Sequence, residues 1–131
     1  MDKTIAPYKE MLLSLLSSQQ IPFDENIRRA LSQSAGVYRI FEIDALWQDS
    51  VYVGRTSNLQ TRIYSDHFMG NRQASTLKRK LIKSGRFADE TEVKEYLRDR
   101  CLVQFFELTD DTERKWFEHF AVAVLRPEYN D

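Results

Sequence analysis

Cysteine is nearly absent from this chain. The single Cys101 excludes an internal disulfide and suits a reducing compartment, so a cytoplasmic protein is expected. Its place beside Leu102-Val103 reads as ordinary core packing. Glycine is also scarce. Gly36, Gly54, Gly70 and Gly85 are scattered, which excludes a glycine-rich loop that cradles phosphates. Two widely separated histidines and one cysteine make no zinc constellation, and no serine sits in a nucleophile-elbow sequence. No run approaches the roughly 20 apolar residues that span a bilayer. The apolar run 11–16 is preceded by Asp2 and Glu10, where a signal peptide carries positive charge. Nucleotide-loop and zinc chemistry, secretion and membrane partners are all set aside.

What is there fits one domain of 131 residues, enough for a single core. The net charge of −1 is unevenly spread. Between Tyr52 and Arg86 lie eight basic residues, Arg55, Arg62, Arg72, Lys78, Arg79, Lys80, Lys83 and Arg86, against one acid, Asp66. Such a segment can present a positive patch to a polyanion, or can be a solvated helix face.

Periodicity gives the order of elements. Ile5, Tyr8, Met11, Leu12, Leu15 and Leu16 recur at helical spacing over 4–18, and Ile21-Pro22 breaks that run. This helix is expected to cover part of a sheet or to join a second copy or partner protein. Asp24 is placed to cap a short second helix carrying Ile27 and Leu31. Strands are expected at 36–42 and 50–54, joined by a loop over 43–49, and a third at 101–108. Ser57 or Asn58 caps a helix over 59–66, and helices follow at 74–84, from about 89, and at 111–125. Gly85 closes the first of these, and Asp110 with Glu113 opens the last.

Glu118 stands out because its helix, Trp116 to Leu125, is apolar on nearly every side. A carboxylate on the stripe of Val122 and Leu125 must be protonated, paired with a cation, or bound to a metal. Arg114, one turn back, is the structural alternative. His119 points off that stripe and reads as a surface or edge residue. Two tyrosines, Tyr38 and Tyr52, a helical Arg62 and Glu118 suit phosphodiester cleavage. A carboxylate can hold Mg²⁺, and an arginine can offset charge on phosphate. A tyrosine can activate water, provided its pKa falls well below 10.

Gly36-Val37-Tyr38 and Tyr52-Val53-Gly54 resemble the paired motifs of the GIY-YIG nucleases, with Val for each Ile. The likeness continues through Arg55 to Ile63, then Glu118-His119-Phe120 and Arg126-Pro127-Glu128-Tyr129-Asn130. It implies an α+β fold with a small three-stranded antiparallel sheet flanked by helices over 35–131, and leaves 1–34 as an N-terminal helical extension. It also implies a DNA endonuclease dependent on Mg²⁺ or Mn²⁺, with RNA left open as a substrate. Carried over by position, Glu118 is the metal ligand and Arg62 the cation on phosphate. Tyr38 activates the attacking water, Tyr52 positions it, and Asn130 braces the site. Arg55, Arg72, Lys78, Arg79, Lys80, Lys83 and Arg86 are the candidate nucleic-acid contacts.

One departure concerns the histidine that many family members place four residues after the arginine. Asp66 holds that place here and His67 follows. On a continuous α-helix His67 would point about 140° away from Arg62. Either the helix ends before Asp66 and re-aims His67, or that role is absent, or Asp66 pairs with Arg62 and weakens its action on phosphate. A catalytically silent nucleic-acid-binding module on the same fold is the alternative function.

Overall fold

The structure, a computed structural model, describes residues 2–44 and 49–130. Residues 45–48 of the expected 43–49 loop lie outside the described residues. The elements run α1 (Asp2–Ser17), β1 (Ile21–Pro22), α2 (Ile27–Ala30), β2 (Gly36–Glu42), β3 (Ser50–Thr56), a π-helix (Thr61–Phe68), α3 (Thr76–Lys83), α4 (Glu90–Arg100), β4 (Cys101–Glu107) and α5 (Asp111–Leu125). All strand pairings are antiparallel, in the order β1-β4-β2-β3, so β2 is central.

The α+β class holds, with a correction to the strand count. The sheet has four strands, because Ile21 and Pro22 pair with Val103 and Leu102 of β4. Pro22 does break the helix, but the chain then runs along the sheet edge. There a proline, with no N–H to give, costs the ladder nothing. Ile21 is buried, which anchors the short strand.

The alternation of side chains along β2 and β3 separates two cores. Tyr38, Ile40 and Tyr52 pack on one side with Leu59, just before the π-helix, and with Ile63, Leu77, Leu81, Val93 and Leu97 from the π-helix, α3 and α4. Val37 and Val53 pack on the other with Leu12 and Leu15 of α1 and Phe117, Ala121 and Leu125 of α5. Each such side chain contributes about 1.5–3 kcal/mol on burial. The apolar stripe of α1 is thus spent on covering this chain's own sheet. Gln104 of β4 ties down the end of α1, its amide donating to Leu16 O and Ser18 O, both at 2.9 Å.

Most caps fall where the sequence puts them. Asp89 and Asp110 accept from Glu92 N and Glu113 N. Gly85 takes a positive φ of 85° after α3. Asp24 is a correction: the N-cap position of α2 is held by Asn26, whose side chain makes no capping bond, and Asp24 Oδ1 instead accepts from the Asn26 N–H in a local turn.

Candidate active site

The site forms where the β3 edge of the sheet meets α3 on one side and α5 on the other. Tyr38 and Tyr52 share a sheet face, their rings 6.2 Å apart. Gly54 lies opposite Tyr38 in register. A Cβ at position 54 would come 2.5 Å from Tyr38 Oη and 2.7 Å from Cζ, so only glycine lets that hydroxyl sit where it does.

Arg62 and His67 are brought together by the helix type. Asn58 Oδ1 accepts from Thr61 N–H at the start, and the segment then widens into a π-helix, with Met69 N–H donating to Tyr64 O at 2.9 Å. In a π-helix the repeat is i to i+5. Five residues separate Arg62 from His67, so one wide turn returns His67 toward the side that an α-helix would have turned it from. Gly70 permits the closing turn, since a Cβ there would meet Asp66 O at 2.4 Å.

His67 is fully buried. Its Nε2 lies 2.6 Å from Tyr38 Oη and its Nδ1 2.7 Å from Ser75 Oγ. Ser75 Oγ also accepts the Lys78 N–H at 3.0 Å, as the N-cap of α3. Three protons, on Ser75, His67 and Tyr38, serve two links, so the chain can point either way and leaves one hydroxyl proton for another acceptor. Burial, with the Arg62 and Lys78 cations nearby, holds the imidazole pKa well below 6.5, so His67 is neutral.

The expected acidified phenol is not found. Burial pushes the Tyr38 hydroxyl well above 10. Tyr52 and Glu118 add to that, while Arg62 opposes it. A neutral tyrosine against a neutral histidine is the arrangement of a proton relay, in contrast to a standing phenolate.

Arg62 is held by three acceptors. Nη1 donates to Asp66 Oδ2 at 3.1 Å and Ala74 O at 2.9 Å, and Nη2 to Thr76 Oγ1 at 3.0 Å. Pairing of Asp66 with Arg62 is therefore realised, whereas the expected helix end before Asp66 is a correction: the helix continues to Phe68, and its wider turn is what re-aims His67.

Glu118 enters from α5 with its side chain 14% exposed, and its Oε1 accepts from Arg55 Nη1 at 2.8 Å. His119 Nε2 is 3.7 Å from the same oxygen. Arg114 is not the partner. It donates to Leu108 O and Thr109 O and pairs with Asp111. Tyr52, Arg55, Thr76, Lys80, Glu118, His119 and Asn130 line a cleft of about 450 Å³. Asn130 clips the outer strand, accepting from Val53 N–H at 2.9 Å and donating to Val53 O at 2.6 Å.

Glu118 is the one carboxylate lining this cleft among the described residues, and no group of three or more His, Cys, Asp or Glu there could cage a metal. A lone carboxylate in a roomy polar cleft fits a hard cation that keeps most of its waters, as Mg²⁺ and Mn²⁺ do. Such an ion would have to share or displace Arg55.

The basic segment is less free than its sequence suggests. Lys78 needs correction as a nucleic-acid contact. It is 1% exposed, and its ammonium donates to Phe68 O at 2.7 Å and to Gly70 O, closing the π-helix. Burial lowers its pKa to about 8. Arg72 grips both Glu90 oxygens, and Arg86 is held by Glu42 and Tyr129. Arg79 and Lys83 are exposed, and Lys80 lines the cleft. Sequence reasoning missed Ser75 and Thr76. A serine before a helical run signals a cap, but nothing local reveals that its oxygen also holds a histidine.

A small antiparallel sheet with helices on both faces has counterparts among solved structures. The N-terminal endonuclease domain of UvrC from Thermotoga maritima, bound to magnesium as its catalytic divalent cation, aligns over 82% of this chain and 99% of its own. The TM-score is 0.52 at 18% identity. A point mutant of that domain, bound to its catalytic divalent cation, gives 0.52 at 21% identity, over 82% and 98% of the two chains. At these identities the likeness is one of fold. No curated protein matches the sequence. The GIY-YIG catalytic domain matches residues 34–121. The chain belongs to the GIY-YIG family.

Proposed function

We propose that this chain is a divalent-metal-dependent endonuclease that hydrolyses a DNA phosphodiester by in-line attack of water. The observation that carries the reading is that Tyr52 and Glu118 line one cleft, with Tyr38 and His67 buried against Tyr52 and Arg62 bonded to the cleft-lining Thr76. Magnesium is named on the UvrC domain, and the Glu118 carboxylate suits the same ion here. When bound, it would supply positive charge to the phosphate and to the leaving oxygen. Arg62 offsets charge building on the non-bridging oxygens, held in aim by Asp66 and Thr76. Tyr38 takes the proton of the attacking water as its own hydroxyl proton passes to His67 Nε2, with Ser75 Oγ accepting the Nδ1–H. The relay starts and ends with neutral groups once His67 returns the proton to solvent through Tyr38. Tyr52 orients the water, and Asn130 fixes the strand that carries Tyr52.

A second reading, a silent DNA-binding module, is favoured by the two ion pairs, Arg55–Glu118 and Arg62–Asp66, which already neutralise the key charges. A cleavage panel of plasmid, linear, branched and single-stranded DNA, plus RNA, with and without Mg²⁺, separates the two. Glu118→Gln is expected to abolish cleavage and leave binding intact. Full-rate cleavage by that variant removes the metal assignment. No cleavage by the parent with Mg²⁺ or Mn²⁺ selects the silent module.

A further inference from the structure

Beside the cleft, on its α1 side, lies a second hollow of about 440 Å³ walled by Tyr8, Trp116, His119 and Phe120. The two spaces share His119 as a wall, so the hollow lies next to the cleft. Its walls are aromatic and open to solvent: Trp116 is 51% exposed, although α5 buries Phe117, Ala121 and Leu125 on its other side. Trp116 and His119 stand edge to face, 5.5 Å apart at 88°, and make a right-angled corner. Tyr8 and Phe120 form the neighbouring wall, their rings 6.0 Å apart. Lys115 Nζ lies 5.3 Å over the indole. Two carboxylates touch the walls: Glu113 accepts from Tyr8 Oη at 3.2 Å, and Glu118 Oε1 lies 3.7 Å from His119 Nε2.

We infer that this corner receives an unpaired nucleobase of the strand being cut, one nucleotide from the scissile phosphate. The inference rests on the phosphodiesterase reading of the Glu118 cleft. A base offers a flat π face and a polar edge, and the corner offers a flat indole and an imidazole edge. Stacking on an exposed aromatic is the sequence-tolerant way to hold single-stranded nucleic acid. The Lys115 ammonium, over one face of the indole, leaves the other face to the base and brings a positive charge for the phosphate of that nucleotide. A base inside intact duplex cannot reach the corner without leaving its stack, at a cost of a few kcal/mol. The substrate class is therefore DNA with an unpaired nucleotide at the cut: a flap, fork, gap margin or single strand.

The test is read in binding, with the full chain in the Glu118→Gln background to prevent cleavage. Forked DNA carrying 2-aminopurine next to the junction reports stacking by fluorescence quenching, and matched duplex serves as reference. Trp116→Ala is expected to weaken fork binding by about five- to a hundred-fold, the range for one stacked base. The preference for fork over duplex should fall by a similar factor. Trp116→Phe should restore much of it. Replacing the reporter base by an abasic nucleotide should reproduce the loss, with no further loss in Trp116→Ala. An unchanged fork-to-duplex preference in Trp116→Ala, or an abasic loss that adds in full to the mutant's, overturns the inference. So does a change of oligomeric state with DNA binding untouched, which would make the hollow a contact between copies. Cleavage by Glu118→Gln would overturn the metal assignment alone, and absence of cleavage by the parent the nuclease reading alone, since stacking is measured without either.

Discussion

Gly54→Ala tests the construction of the site most directly. The new methyl would lie 2.5 Å from Tyr38 Oη, 2.7 Å from Cζ and 3.0 Å from Cε1, and this ring is 1% exposed. Tyr38 cannot swing aside without giving up its 2.6 Å bond to His67, and the Gly54 backbone is fixed by pairing within the sheet. Overpacking of this kind costs about 1–3 kcal/mol. Leaving buried polar groups of the Tyr38–His67 pair unpartnered costs about 1–3 kcal/mol more. A total near 3–4 kcal/mol should lower Tm by roughly 10 °C or more in a domain of this size. Tyr38→Phe alone removes the hydroxyl and should cost about 1–2 kcal/mol through the unpaired imidazole. In the double variant the closest contact, to Oη, has gone and the hydrogen bond is lost only once. The two changes should therefore fall short of additivity by about 1 kcal/mol in urea unfolding. Additivity within about 0.5 kcal/mol, the margin for independent sites, would refute the claim that Gly54 is glycine for the sake of the Tyr38 hydroxyl.

Three further outcomes follow from the same contacts. His67 stays neutral in the fold while an unfolded chain's histidine gains a proton near 6.5, so the native state binds fewer protons below that pH. Stability should therefore fall as pH drops through 6.5, by up to about 1.4 kcal/mol per unit, and urea unfolding of His67→Gln should lack that component. Lys78→Met should destabilise by about 2–4 kcal/mol, because Phe68 O and Gly70 O lose their donor, yet leave the salt dependence of DNA binding unchanged. A reduced salt slope would make Lys78 a phosphate contact after all. Arg55→Gln removes the cation already on Glu118, a partly exposed pair of about 0.2–1 kcal/mol, and should tighten Mn²⁺ binding up to about five-fold by titration calorimetry. Weaker binding would mean that Arg55 aims the carboxylate instead of competing for it.

The strands, the caps at Asp89 and Asp110, and the glycine at the end of α3 were legible because each depends on a few adjacent residues. Tyr38, Tyr52, Arg62 and Glu118 could be singled out as candidates because their motifs keep family order over a long span. What stayed hidden depends on contacts across the fold. Ile21-Pro22 is a strand only because β4, about eighty residues later, offers it an edge. Lys78 reads as one cation among several, and only its packing under the π-helix shows where its charge is spent. The opposite sign of the Tyr38 pKa shift has the same origin. Sequence shows which cations are near, but burial outweighs them.

The offset between Arg62 and His67 was a conflict only under the assumption of 3.6 residues per turn. A π-helix is rare and occurs mostly as a single turn, so the widened stretch from Thr61 to Phe68 needs support from elsewhere. That support is visible at both ends. Asn58 fixes the entry, while Gly70 and the Lys78 ammonium satisfy and clear the exit. Between them, Ser75 holds His67 by one nitrogen and Tyr38 by the other. The extra residue is therefore absorbed in the helix, and His67 meets Tyr38 while Asp66, in the place of the family's histidine, remains free to grip Arg62. Deleting one residue from the 63–66 stretch should restore an α-helical turn only by breaking the Gly70 and Lys78 contacts. It follows that the π-helix and its buried lysine must be gained or lost together.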